Sequence, residues 1–226
     1  MTTEPGDAVP EPVDRPRVSR RGLRVGFVPG VTLTKWRRIW AERFRSSLEV
    51  VELAQDDQRR ALVEGRVDLA FVRLPIDRSG LHLITLYDEV PVVWMSGDHL
   101  LAALDEVSSD DLVDERVITH ADPGSIELAT WSAAVLRVPM SIARSGSRKD
   151  LVHRVVTDAE PTTIGLAWLV TNDHPLVEEF IGVVRGRSAT SSRSAQERAG
   201  RSTPAPATRT SPKARRPRPR ATRRGR

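Results

Sequence analysis

An arginine that ends an apolar strand is a candidate grip for an anion, and this sequence places one at Arg73. In GRVDLAFVRLPID (65–77), Val67, Leu69, Ala70, Phe71 and Val72 form a nearly continuous apolar run that stops at Arg73 and Leu74-Pro75. Such a run is the pattern of a parallel strand covered on both faces. Ligands of open α/β sheets gather beyond the carboxyl ends of their strands. Arg73, followed by Leu74 and Pro75, is therefore expected to offer a guanidinium for bidentate bonding to a carboxylate. Pro29, Gly30, Val31 and Thr32 leave another strand and enter a helix, whose free N–H groups and dipole favour an anionic group. His120 and Asp122, in His120-Ala121-Asp122-Pro123, and Ser145 and Ser147, in a Ser-Gly-Ser turn, complete the candidate ligand-binding set. The plainer alternative is that these are ordinary turns with Arg73 in solvent.

Catalytic and metal-binding patterns are missing. The five histidines, His82, His99, His120, His153 and His174, form no H-x-x-x-H or H-E-x-x-H arrangement, and there is no cysteine. Disulfides, thiolate chemistry and cysteine-rich zinc sites are excluded, and no cofactor or metal is expected. Asp98-His99 and Asp173-His174 are adjacent pairs, which lack the geometry of an acid–base dyad; a strand end and a helix cap are the better readings. The chain has no G-x-S-x-G elbow, Walker loop or G-x-G-x-x-G. The sequence predicts binding, not an enzyme.

The elements that must position these residues alternate. LRVGFVPG (23–30) reads as a strand running into a turn. In TLTKWRRIWAERF (32–44), Leu33, Trp36, Trp40 and Phe44 share a helical face, the spacing of core or dimer packing. LEVVEL (48–53) is a strand, DDQRRALVEG (56–65) a helix stopped by Gly65, and the opening stretch the third strand. This β-α-β-α-β order predicts a parallel sheet. Strands are expected at 81–87 and 90–95, a short helix at 108–115, and a strand and turn at 116–124. A helix over 126–136, a strand and turn over 138–147, a helix over 148–156, a strand over 162–170 and a helix over 175–184 follow.

VGFVPG, TLTKW, ALVEGRVDLAFVRLP and LHLITLYDEVPVVWMSGDHLLA together resemble the effector-binding domain of LysR-type transcriptional regulators, from about Leu23 to Arg185. TIGLAWLV is similar to the family's late Gly-Leu-Gly strand, with Ala167 at the second glycine. The resemblance implies an α/β, two-lobed periplasmic-binding-protein-like (type II) fold with mainly parallel sheets. It divides residues 23–186 into lobe I, about 23–89 and 165–186, and lobe II, about 90–164. It further implies crossovers near Tyr87–Val92 and Thr163–Leu169, a small-molecule effector in the cleft, and a homodimer. The segment ahead of the first strand (1–22) is too short for the family's winged helix-turn-helix, which is expected to be lacking. The second lobe is shorter than usual.

Only 39 % of the chain is hydrophobic, and the shortfall lies at the ends. Residues 1–22 and 187–226 read as disordered by composition, the latter a basic tail rich in Arg, Pro and Ser. From Arg185 onward fourteen Lys and Arg face one acid, giving +13. The chain as a whole holds 35 basic and 30 acidic side chains and a net charge of +5, so positions 1–184 carry −8. The tail's Lys213, Arg215, Arg216, Arg218, Arg220, Arg223, Arg224 and Arg226 are expected to contact DNA or RNA phosphates without reading sequence. No apolar run approaches the ~18 residues of a membrane span, and no secretory signal opens the chain, which predicts a cytoplasmic protein without a membrane partner. The leading expectation is an effector domain for a small, anionic metabolite with a role in transcriptional regulation. The alternative is a nucleoid- or RNA-associated protein that acts through its tail.

Overall fold

The computed structural model describes residues 22–187, all within one compact unit. Along the chain come β1 (Leu23–Phe27), α1 (Thr34–Arg43), β2 (Leu48–Glu52), α2 (Gln58–Val63), β3 (Leu69–Arg73) and β4 (Leu81–Glu89). Then follow β5 (Pro91–Ser96), β6 (Glu106–Val107), β7 (Val117–Ile118), α3 (Pro123–Thr130), β8 (Val135–Pro139) and α4 (Met140–Ser145). β9 (Leu151–Val156), β10 (Thr162–Leu169) and α5 (Val177–Val184) complete it.

The β-α-β-α-β segment folds as its pattern requires. β1 pairs in parallel with β2 and with β3, with Val25 beside Leu69 and Phe27 beside Phe71. All five residues of β3 are buried, because both faces of the sheet are covered. On one face Phe71 stacks on Trp36 from α1, ring centroids 4.6 Å apart, and meets Phe180 from α5 edge-on at 6.2 Å. On the other, Ala70 and Val72 pack with Leu53, Ala61 and Leu62. Trp40 is 2 % exposed and touches Phe44 and Phe180, so the aromatic face of α1 is core.

Two five-stranded sheets result, the first ordered β2-β1-β3-β10-β4 and the second β6-β9-β5-β8-β7. The chain passes from the first (lobe I) to the second (lobe II) at Val90 and returns across 157–161. The two-lobed α/β expectation holds, but the sheets are mixed rather than mainly parallel, with four parallel and four antiparallel pairings. In lobe I the reason is the return. β10 re-enters lobe I at the end where β3 stops, Ile164 pairing with Arg73, so it must run against β3 and β4. Gly165 lets β10 pass close to β4 at a register shift, where a Cβ would lie 2.9 Å from Leu83 and 3.1 Å from the Ile84 carbonyl.

Lobe II departs from the sequence reading in four places. The helix expected over 148–156 is β9. Leu151, Val152, Val155 and Val156 suit either period, but three valines prefer the strand and β5 supplies its partner. The strand expected over 138–147 ends at Pro139, and 140–145 is α4. The helix expected over 126–136 starts earlier, at Pro123, because Asp122 caps it, and ends at Thr130 before Ser132 turns with φ 54°. The helix expected over 108–115 shrinks to a 3₁₀ turn, Asp110–Leu112. Among the described residues no helix is long and apolar enough to cross a membrane.

Phe71 is fully buried between two helices and a neighbouring strand, so Phe71→Ala is expected to cost about 3–5 kcal/mol. Urea unfolding would check this. A loss below about 1 kcal/mol would mean that α1 and α5 do not close over β3.

Candidate functional site

The carboxyl ends of β1, β3 and β4 all meet at the junction with lobe II, and Arg73 ties them together. Its side chain is 2 % exposed. Nε donates to Glu89 Oε2 at 2.7 Å and Nη2 to Glu89 Oε1 at 3.2 Å. Nη2 also donates to the Pro29 carbonyl and Nη1 to Gln55 Oε1, both at 2.9 Å. Gln58 clamps the backbone of the same residue. Its Nε2 donates to the Arg73 carbonyl, and its Oε1 accepts from the Arg73 N–H, both at 2.9 Å.

Glu89 is the other half of the junction. Besides Arg73 it accepts from the Ser141 hydroxyl of α4 and, at 3.3 Å, from Thr162 Oγ1 at the start of β10. Thr163 Oγ1 donates to Asp88 at 2.6 Å, and the Met140 N–H donates to the Val90 carbonyl at 2.8 Å. Both crossings between lobes are thus bonded to the ends of β3 and β4. Gly30, with φ 90°, brings the β1–α1 loop against α4. A Cβ there would stand 2.5 Å from Ser141 Oγ and 3.2 Å from Ile142. Beside this cluster, partial burial first and the Glu89 charge second hold the Tyr87 phenol above its usual pKa.

The sequence-predicted residues divide. Pro29, Gly30 and Arg73 come together, but Arg73 corrects the expectation of a free anion grip. Four of its five N–H groups are committed inside the protein and Glu89 neutralises it. Val31 is buried in the lobe I core, and Thr32 is exposed just before α1. The Leu74 N–H donates to the Thr163 carbonyl at 2.9 Å, and Pro75, after a cis peptide bond, is exposed. His120 and Asp122 are exposed and meet each other at 3.0 Å. The Asp122 carboxylate is the N-cap of α3, accepting from the Gly124 and Ser125 N–H groups and, at 2.6 Å, from Ser125 Oγ. The same carboxylate remains half exposed while its oxygens accept these bonds as the helix cap. Ser145 Oγ donates to the Ile142 carbonyl at the far end of α4 from Ser141, and Ser147 lies beyond it, exposed. Among the described residues no hydrogen bond joins His120, Asp122, Ser145 or Ser147 to the Arg73 cluster. The eight tail residues from Lys213 to Arg226 lie outside the described residues.

Sequence reasoning missed Glu89, Gln55, Gln58, Ser141 and Thr162. The signal for Glu89 was present: an acid closing an apolar-alternating strand, on the strand that follows the one closed by Arg73. Gln55 and Gln58 sit at a helix start and carried no comparable signal. Among the described residues no group of three or more His, Cys, Asp or Glu is placed to hold a metal.

Two lobes, two crossings and strand ends facing a shared junction define a class of two-lobed α/β binding domains. Residues 17–137 match the LysR substrate binding domain model, and the chain belongs to that family. The HTH-type transcriptional regulator AlsR of Bacillus subtilis (strain 168) is 28 % identical over 198 residues, 71 % of this chain. The chain spans 65 % of the length of that relative. The BenM effector binding domain with its effector benzoate superposes with a TM-score of 0.62 at 20 % identity, covering 73 % of this chain and 90 % of that one. An H2O2-bound mutant of Corynebacterium glutamicum OxyR gives 0.60 at 22 % identity, covering 75 % and 68 %.

Two measurements test the junction. Arg73→Met and Glu89→Met are each expected to cost about 3–5 kcal/mol, and the double variant far less than their sum, because each single change strands a buried charge. Additive losses in chemical denaturation would deny the pairing. The Ser125 hydroxyl, followed by the Ser125 N–H, lowers the Asp122 pKa. A group lowered on folding stabilises the fold above its unfolded pKa and loses that effect as pH falls through the folded value. The melting-temperature gap between wild type and Asp122→Ala should therefore shrink as pH falls below about pH 4. A gap that does not change with pH would rule out a charged cap.

Proposed function

We propose that this domain binds a small anionic metabolite between its lobes and that occupancy shifts the conformers or dimers through which it acts in transcription. The observation that carries this reading is the junction: the ends of β1, β3 and β4 face α4 across Gly30 and Ser141. Ligands of this architecture sit at such strand ends, and population shift needs only unequal affinity for two conformers. With Arg73 neutralised by Glu89, the anion is assigned to the N–H groups at the start of α1 and to Thr32. Thr32 is exposed just before that helix. Output by binding rather than catalysis, a homodimer and a cytoplasmic setting follow the family.

The tail supports a second, compatible role. A charge of +13 from Arg185 onward favours sequence-independent contact with DNA or RNA, with affinity falling by a log–log salt slope of about −0.9 per phosphate. One experiment tests both. Thermal melting of the full chain and of residues 1–187 is run against a panel of small organic acids, beside DNA titrations at several salt concentrations. A true effector at about 100 times its dissociation constant adds about 2.7 kcal/mol to both forms, and Gly30→Ala weakens it. Only the full chain should bind DNA with a steep salt slope. If no acid moves either melt, the sensor reading fails; if truncation leaves DNA binding intact, the tail reading fails.

A further inference from the structure

We propose that β4 is an interface between two copies of this chain, whose β4 strands pair edge to edge about a two-fold axis at Thr85. β4 is the outermost strand of its sheet, bonded to β10 on one side and to no strand on the other. At nine residues it is the longest strand among the described residues. A free edge presents a row of unpaired N–H and C=O groups, and proteins blunt such edges with short strands, charges, Pro or a covering loop. LHLITLYDE holds no Lys, Arg or Pro, and among the described residues no turn or loop bonds to the backbone of 82–88. The opposite edge, β2, is five residues long and exposes Glu49 and Glu52. Both faces of β4 are thinly covered. Leu83 on one face and Ile84 and Leu86 on the other are only partly buried, and Tyr87 is 41 % exposed.

The strand complements itself. In antiparallel pairing about Thr85, His82 of one copy stands opposite Asp88 of the other, Leu83 opposite Tyr87, and Ile84 opposite Leu86. Each of these pairs occurs twice by symmetry, and Thr85 meets Thr85 at the axis. Opposed side chains in such a pair lie about 4.5–5.5 Å apart at Cβ, and opposite charges and Thr–Thr hydrogen bonds are among the favourable combinations. Both polar partners are exposed and held in place. Asp88 Oδ1 accepts from Thr163 Oγ1 at 2.6 Å, which leaves Oδ2 for a ring N–H. The His82 ring lies against Trp168, centroids 5.4 Å apart. Leu86 is the extra residue where Ile164 pairs with Tyr87 and Gly165 with Thr85. That irregularity falls one position from the axis in each copy, so it is confined to the centre of the interface. A two-fold interface requires the same surface on both partners. This edge meets that requirement, which favours a second copy over a foreign strand. The inference stands apart from the effector reading.

The axis supplies the test, because a charge placed at Thr85 faces its own copy. Sedimentation of the full chain at fixed ionic strength gives the association constant. Thr85→Lys and Thr85→Glu should each weaken association at least tenfold, since like charges directly opposite repel. An equimolar mixture of the two should recover it, because lysine then faces glutamate. Thr85 is exposed, so both variants should keep the wild-type circular dichroism. A second measurement needs no charge. The chain has no cysteine, so Thr85→Cys provides a single thiol that meets its copy at the axis, within a small shift of disulfide geometry. Mild oxidation should give a covalent dimer, whereas Arg78→Cys, on the exposed turn before β4, should stay largely monomeric on a reducing-agent-free gel. The proposal is overturned if the wild type does not associate, if neither charged variant lowers the association constant, or if the mixture binds no better than either variant alone. It is equally overturned if Thr85→Cys forms no more disulfide than Arg78→Cys.

Discussion

A guanidinium with four N–H groups spent inside the protein organises this molecule. Arg73 ends β3, reaches the Pro29 carbonyl after β1, and pairs with Glu89 at the end of β4. Glu89 in turn accepts from Ser141 in lobe II and from Thr162 on the returning strand. Removing two charges from water is expensive, and the Coulombic return alone does not guarantee a net gain. What the pair supplies is position. Each partner has several bonds that only one arrangement of three strand ends, one helix start and two crossings can satisfy together. With both charges satisfied internally, no buried side-chain nitrogen or oxygen among the described residues lacks a partner.

The first lobe was legible because its sequence signals agree with one another. The apolar run from Val67 to Val72, the helix face of Leu33, Trp36 and Trp40, and Gly65, with φ 64° after α2, all point to one parallel unit. Lobe II was harder because its elements are short and decided by partners. LVHRVV fits a helical face and a buried strand equally well by period; β5 and β6 on either side make it a strand. Pro139 ends a strand and begins α4 in a single step.

The candidate site was half legible for a related reason. Sequence shows where a strand ends, and so placed Pro29, Gly30 and Arg73 at one edge. It does not show which end charge finds an internal partner. Arg73 and Glu89 lie on strands separated in the sheet by β10, which arrives only after the whole of lobe II has been traversed. Their meeting is a consequence of the return crossing, and no local pattern encodes it. Asp122 shows the same limit at shorter range. In sequence its carboxylate reads only as a ligand contact, and the Gly124 and Ser125 N–H groups that it accepts from make it the cap of α3.

Neutralising the junction changes what an effector must bring. A free buried arginine would demand a carboxylate and would bind any that fitted. With Glu89 already in that position, Arg73 offers no free ion pair, which is why the proposed site is placed at the N–H groups and hydroxyls at the start of α1. Such donors reward shape and hydrogen-bond direction more than charge. In the proposed site, selectivity would rest on the contours set by Gly30, Thr32 and the first turn of α4. Gly30 lies close against Ser141 at the junction of the lobes, so a small displacement of α4 would alter both that contact and a bond to Glu89.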